Sequence, residues 1–103
     1  MADPEFTPTL KMAANAKRGL KLREKFDRGG TAVGVRRAHQ LANRDGVSAE
    51  DVKSIHSYFA RHSVDRDGKG WGSTSDPSAG YIAWLLWGGD DGKRWADAKR
   101  AKL

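Results

Sequence analysis

The chain has 103 residues, of which 38% are apolar and 31% are charged, and it contains no cysteine. This length accommodates one compact domain but not two. The lack of cysteine excludes disulfides, thiolate metal sites and cysteine nucleophiles, and it fits a reducing, cytosolic compartment.

The net charge of +6 is concentrated in the first half of the chain. Residues 8–44 contain ten Lys and Arg but only two acidic residues, Glu24 and Asp27, whereas from Asp45 onward the two signs balance at nine each. A positive field of this kind attracts polyanions, of which nucleic acid is the commonest, with an acidic protein or a membrane surface as alternatives. Alternatively, the basic residues form a face that only keeps the protein soluble and binds no partner.

The first eight residues, MADPEFTP, resemble a cloning remnant, and we expect them to be disordered and to lie outside the fold. No apolar segment typical of a secretory signal follows the first residues. The sequence therefore predicts a single domain over residues 9–103.

An amphipathic helix is predicted from Thr9 to Arg28, and Gly29 and Gly30 end it. Its apolar side consists of Met12, Ala16, Gly19, Leu22 and Phe26. Its opposite side is basic and consists of Lys17, Arg18, Lys21, Lys25 and Arg28. This basic side is either a surface for a partner or only a solvated face.

Two further helices are predicted on either side of a turn at 43–47. Thr31 caps the first and Ser48 the second, where Asp51 completes a sequence typical of a capping box. In the first helix the residues that share the apolar face are Gly34, Val35, Ala38, Leu41 and Ala42, and those that point away are Arg36, Arg37, His39 and Gln40. In the second the apolar stripe consists of Val52, Ile55, His56 and Phe59, which predicts that His56 is a hydrogen-bonded core residue.

The stretch LANRDGVSAEDVKSI, residues 41–55, matches the packing pattern of a helix-turn-helix. A small residue, Ala42, lets the second helix approach, Gly46 forms the tight turn, and Val47, Val52 and Ile55 lock the second helix. Many helical hairpins satisfy the same pattern without binding DNA. The outward residues of the second helix include Lys53 and Ser54, but Glu50 and Asp51 oppose phosphate, which argues against specific base recognition.

The segment from His62 to Ser75 is predicted to be a loop anchored by Trp71. Asp76 and Pro77 are start signals for a fourth helix of about eleven residues, DPSAGYIAWLLWGG, which is too short to span a membrane. Its apolar residues cover nearly the whole circumference, so it is expected to be the central, most buried helix. Asp90 or Asp91 then caps a short fifth helix that holds Trp95 against the core.

Motifs typical of catalysis or metal binding are poorly represented. Asp65 and Asp67 begin a calcium-loop pattern, but Lys69 stands where a ligand is needed and Asp76 where Glu is usual. The three histidines lie on separate faces or elements, and no P-loop or nucleophile elbow is present. We therefore predict no enzymatic activity, no catalytic residue, no metal site and no cofactor.

The strings RGGTAVGV, SYFARH and SAGYIAWLLWGGD are long and unusual. With them, roughly residues 18–96 resemble a small domain encoded in bacteriophages and prophages. The function of that family is poorly defined, so the resemblance implies a phage context, in the cytoplasm of an infected bacterium or in the virion, and supplies no catalytic residues.

The sequence as a whole predicts an all-α bundle of about five short helices, with a helix-turn-helix-like pair and a central Trp-rich helix. The predicted function is nucleic-acid binding with little sequence preference, mainly through the phosphate backbone. The candidate contact residues are Lys17, Lys21, Lys25, Arg28, Arg36, Arg37, Lys53 and Ser54. The alternative is a phage module for virion assembly or host takeover that binds an acidic protein, with an exposed anchor supplied by GKGWG, which contains Trp71, or by the RGGTAVGV loop.

Overall fold

A computed structural model describes residues 6–103, which fold into five α-helices and one short 3₁₀ turn. The helices are α1 (Leu10–Phe26), α2 (Ala32–Ala42), α3 (Ala49–His62), α4 (Ala79–Leu86) and α5 (Gly89–Arg100), and the 3₁₀ turn (Ser63–Asp67) follows α3. The described part of the chain has no β-strand and only an isolated bridge between Phe6 and Val47. The predicted all-α bundle with five helices is confirmed.

Local capping explains where the first three helices begin. The hydroxyl of Thr9 accepts a hydrogen bond from the backbone N–H of Met12, that of Thr31 from Gly34, and that of Ser48 from Asp51. Each hydroxyl satisfies one of the N–H groups that a first helical turn leaves without a partner. The caps Thr31 and Ser48 were predicted from the sequence, whereas Thr9 was predicted to be the first residue of its helix and is instead its N-cap.

The fourth helix starts later than predicted. Ser78, not Asp76, is its N-cap and accepts a hydrogen bond from the N–H of Tyr81, so α4 has eight residues and not about eleven. Asp76 instead accepts a hydrogen bond from the guanidinium of Arg28 at 2.9 Å. Because this carboxylate is engaged with the end of α1, residues 76 and 77 belong to the loop.

The fourth helix forms the centre of the core, as predicted. Ile82, Trp84, Leu85 and Leu86 are all buried, and Trp84 is only 1% exposed. Edge-to-face contacts join Trp84 to Phe59 of α3 and to Trp71, with ring centroids 4.6 and 5.3 Å apart. The aromatic cluster therefore fastens α3 and the long loop to α4.

Close backbone approach between α1 and α4 depends on glycine. A Cβ atom at Gly19 would lie 2.9 Å from the backbone nitrogen of Leu86 and 3.0 Å from Leu85 Cβ. Gly29 and Gly30, at the end of α1, have φ angles of 95° and 75°, in a region that L side chains rarely adopt. These positions let α1 and the turn after it lie directly on α4.

The fifth helix is not capped by an aspartate side chain, contrary to the prediction. Its N-cap is Gly88, with φ of 110°. Asp90 accepts hydrogen bonds from Trp84 Nε1 at 2.9 Å and from Arg66 at 2.7 Å, and Asp91 accepts one from Asn15 at 3.0 Å. Both carboxylates lie in the first helical turn, where negative charge is favourable, but they link α5 to other elements.

The segment 1–8 was set aside as a cloning remnant; residues 1–5 of it lie outside the described residues. Phe6 exchanges two backbone hydrogen bonds with Val47, at 2.9 and 2.8 Å, and its ring contacts Trp95 edge to face. Pro8 is buried, and its carbonyl accepts a hydrogen bond from Arg44. Residues 6–8 therefore pack against the turn between α2 and α3 and against α5.

Candidate functional site

The outward face of α1 carries a row of five cationic side chains, which we call the α1 stripe: Lys11, Lys17, Arg18, Lys21 and Lys25. All five are exposed. At 1.5 Å of rise per residue the stripe is about 21 Å long. Within residues 6–103, no carboxylate lies within 4.0 Å of any of these cations, since none takes part in an ion pair there.

Three of the predicted contact residues, Lys17, Lys21 and Lys25, belong to the α1 stripe. The prediction omitted Lys11 and counted Arg18 only as part of the basic side. Helical periodicity places both on the same face, because they lie seven residues apart and Arg18 is also seven residues before Lys25. The exposed row is therefore longer than the predicted set.

Arg28 differs from the α1 stripe because its guanidinium is held. It forms an ion pair with Asp76 at 2.9 Å and also donates a hydrogen bond to the carbonyl oxygen of Pro77. Both side chains of this pair are substantially exposed, so the pair contributes little to stability. Arg28 remains accessible at the end of α1, but part of its charge is neutralised.

Arg37 does not point away from the fold as predicted. Its side chain is 13% exposed, and its guanidinium lies 3.2 Å from Asp51 and donates a hydrogen bond to Gln40 at 2.6 Å. The guanidinium carbon also lies 5.3 Å from the centre of the Trp87 ring. Arg37 therefore joins α2, α3 and the end of α4, whereas its neighbour Arg36 is exposed.

The contacts between α2 and α3 lower the pKa of Asp51. Burial would raise its pKa, but a hydrogen bond from Gln40, the charge and a hydrogen bond of Arg37 and the backbone N–H of Ser48 together lower it below the ordinary value. Asp51 is therefore ionised at neutral pH and bridges α2 to α3. A carboxylate in this role lowers the attraction of the start of α3 for phosphate.

The α2–turn–α3 segment has the predicted order of elements but lacks the close approach of a helix-turn-helix. No Cα atom of α2 lies within 8 Å of a Cα atom of α3, and the two helices are joined through side chains such as Arg37 and Asp51. The connection from residue 43 to 48 is longer than the usual turn of about three to four residues. Arg44, with φ of 55°, adopts the left-handed conformation expected at Gly46.

The last two predicted contact residues lie on α3, where Lys53 is exposed and Ser54 is half-buried. Ser54 lines a cavity of 530 Å³ that also borders α2 and α4. A second cavity, of 430 Å³, is lined by Val33, Arg36, Arg37 and Gln40. Of the predicted residues, Lys17, Lys21 and Lys25 therefore lie on the α1 stripe, and Arg36, Arg37 and Ser54 lie at the margins of these two cavities. Arg28 and Lys53 belong to neither group.

Trp71 is half-buried, and its ring lies edge to face against Tyr81 and Trp84 at centroid distances of 5.2 and 5.3 Å. An exposed Trp71 ring would have favoured the alternative function, in which the protein binds a protein partner. The observed packing instead makes Trp71 a brace that fixes the long loop to α4, as the loop prediction stated.

The histidines do not form a common site in the described part of the chain. His56 was predicted to be a core residue, but its side chain is 38% exposed and lies 3.6 Å from Asp97 of α5. His62 lies 3.1 Å from Asp65, which removes that carboxylate from the calcium-loop pattern. Residues 6–103 contain no group of three or more His, Asp or Glu side chains placed to hold a metal ion.

Comparisons with protein-family models, curated proteins and solved structures find no match to this chain. Within residues 6–103, no helix has both the length and the apolar character needed to cross a membrane.

Proposed function

We propose that this protein is a phage-encoded nucleic-acid-binding protein that contacts the phosphate backbone through the α1 stripe. The observation that carries the proposal is the segregation of charge on the fold: five exposed cations lie along one helix face without a carboxylate partner among the described residues. The phage context rests on the sequence resemblance alone, which implies an infected bacterial cytoplasm or a virion as the location.

The chemistry of the α1 stripe favours backbone contacts over base recognition. Four of its five residues are lysines, which act on phosphate as flexible point charges. Asn15, the one amide side chain of α1, donates its hydrogen bonds to the carbonyl of Gly88 and to Asp91. A stripe of about 21 Å matches the rise of about six phosphates along one DNA strand, at 3.4 Å each.

The α3 helix is a weaker candidate for the contact. Glu50 and Asp51 occupy its first turn, and the backbone of α2 lies too far away to support it as in a helix-turn-helix. We therefore assign Lys53 and Ser54 a secondary role and place the main contact on α1, with Arg28 at its end.

The test is fluorescence anisotropy of labelled duplex and single-stranded DNA, titrated with protein across a salt series. The triple variant Lys17→Gln, Lys21→Gln, Lys25→Gln removes three stripe charges. The matched control Lys69→Gln, Arg100→Gln, Lys102→Gln removes three exposed charges elsewhere, so both variants have a net charge of +3, three below the +6 of the wild type.

We expect the affinity for duplex to fall log-linearly with salt concentration, with a slope near 0.9 per phosphate contacted. The stripe variant should lower this slope by about 2.7, because three contacts at about 0.9 each are lost, while the control should bind almost like the wild type. Equal losses in both variants would show a general charge effect and not a site. No binding at low salt would refute the proposal and leave an acidic protein as the partner to seek.

A further inference from the structure

A cleft lies where α2 and α4 begin and α3 ends, away from the outward face of α1. Its cavity of 530 Å³ falls within the range of about 300 to 1,000 Å³ typical of small-molecule sites. The polar and aromatic residues that line it include Thr31, Ser54, Tyr58, Arg61, His62 and Trp87. Three elements distant in sequence therefore build one concave surface.

The N-terminal ends of two helices border this cleft, and that of α2 makes it electropositive. Neither α2 nor α4 has an acidic residue in its own first turn, which leaves the positive end of the α2 dipole without an offsetting side chain from that helix. At the start of α4, the carboxylate of Asp65 lies against Gly80, where a Cβ atom would be 3.5 Å from Oδ2. The caps Thr31 and Ser78 satisfy only the N–H groups of Gly34 and Tyr81. The N–H groups of the residues just after each cap have no intrahelical acceptor.

Ionic side chains leave the cleft with a positive balance. Arg61 is exposed at its margin. Asp65 is the carboxylate that lines it, and this group lies 3.1 Å from Nδ1 of His62. Within residues 6–103 the guanidinium of Arg61 forms no ion pair, so this cation and the start of α2 add positive charge that the carboxylate of Asp65, beside His62 and Gly80, does not neutralise fully.

The hydroxyl of Tyr58 is an independent indication of a ligand. Tyr58 is 5% exposed and lines the cleft, and its Oη atom has no hydrogen-bond partner among the described residues. Its ring is fixed between Trp87, at 4.4 Å and 4° between planes, and His62, at 4.6 Å. Burial and the charge of Asp65 raise the pKa of Tyr58, so the hydroxyl keeps its proton and is available as a donor.

A second unpartnered donor lies next to the cleft. Arg37 Nε is buried without an acceptor among the described residues, and Arg37 lines the 430 Å³ cavity. Val33 lines both cavities, so the two adjoin. Both unpartnered buried atoms are N–H or O–H donors, which calls for a ligand rich in acceptors.

We propose that this cleft binds a phosphate monoester, with the phosphate at the N-terminus of α2 and with Tyr58 and Arg61 as further donors. Oxyanions suit such a site because several backbone N–H groups and a positive dipole end converge on them. A mononucleotide and the terminal phosphate of a nucleic-acid strand both carry this group. The site is separate from the α1 stripe and does not depend on it.

The test is an NMR titration of backbone amide shifts in the full chain with inorganic phosphate, adenosine monophosphate and adenosine. We expect saturable shifts at the amide of Ala32 with both phosphate-containing probes and none with adenosine. Short oligonucleotides with and without a terminal phosphate separate the two sources. A preference for the phosphorylated oligonucleotide over the mononucleotide identifies a strand end, and the reverse identifies a small molecule.

Tyr58→Phe and Arg61→Gln should each raise the Kd for adenosine monophosphate at least about 10-fold, as expected for hydrogen bonds to a charged group. Arg100→Gln, an exposed cation at the end of α5, is the control and should change nothing. The triple α1 stripe variant should also bind the mononucleotide normally, so failure of the cleft and failure of the stripe give different results. Absence of saturable shifts with both phosphate probes, or equal shifts with adenosine, would overturn the proposal.

Discussion

Trp84 is the residue whose loss tests the architecture most directly. Its side chain is 1% exposed and contacts the rings of Phe59 and Trp71, while its indole N–H donates to Asp90. Replacing a core tryptophan by alanine costs about 3 to 5 kcal/mol. The lost hydrogen bond adds little, because Asp90 is 61% exposed and water can replace the donor.

A small domain has a total stability of about 5 to 15 kcal/mol, so Trp84→Ala should remove a large part of it. Urea unfolding followed by far-UV circular dichroism measures the change, and the thermal midpoint should fall by at least about 12 °C. Val64→Ala is the control, because Val64 is exposed and its loss should cost less than about 0.5 kcal/mol. A Trp84→Ala variant within about 1 kcal/mol of the wild type would refute the reasoning that α4 is the centre of the core.

Three further predictions concern single positions. Gly19→Ala should destabilise the domain by about 1 to 3 kcal/mol in urea unfolding. The new Cβ atom would meet the backbone of Leu86, and this clash outweighs the gain in helix propensity. A variant more stable than the wild type would contradict the close approach of α1 to α4. Tyr58→Phe should leave the stability of the unliganded protein unchanged or raise it by about 1 kcal/mol, because it removes a buried hydroxyl that has no partner among the described residues. A clear loss of stability would show that this hydroxyl does form a hydrogen bond in the folded protein. Because folding lowers the pKa of Asp51, its ionised carboxylate should stabilise the fold fully at pH values above its ordinary pKa of 3.8. This contribution should be lost as the pH falls through the lower pKa of the folded state. Acid unfolding should show this dependence in the wild type but less in Asp51→Asn, and identical profiles would exclude Asp51 as a stabilising bridge.

Features that depend on neighbours in the sequence could be predicted. Thr31 and Ser48 cap their helices as predicted, because a cap needs only the next three residues. The predicted start at Asp76 failed because two competing contacts come from elsewhere: Arg28 takes its carboxylate, and the N–H of Ser78 bonds to the carbonyl of Gly70. Those partners lie many residues away, so local pattern could not reveal them.

The same distinction applies to the candidate sites. The α1 stripe follows from helical periodicity alone, because exposed and buried positions repeat along one helix. Arg37 is partly buried because it contacts Asp51 of α3, across the turn, and Trp87 at the end of α4. The cleft between α2 and α4 also includes Tyr58, which α3 supplies. Those distances do not follow from helical periodicity, which predicted Arg37 to be an outward cation.

The uneven distribution of charge along the sequence leaves unpaired cations on one side of the fold, because ion pairs form where cations and carboxylates occur together. In the balanced second half, Lys93 pairs with Asp97 and Arg94 with Asp91, each within one turn of α5. On the outward face of α1 the nearest acid in sequence, Glu24, forms no ion pair within residues 6–103, and none of the five cations of the stripe forms one there. Repulsion among such neighbours opposes folding, and an external polyanion would relieve it. DNA should therefore stabilise the wild type against heat at low salt more than the stripe variant, and equal stabilisation of both would place the contact elsewhere.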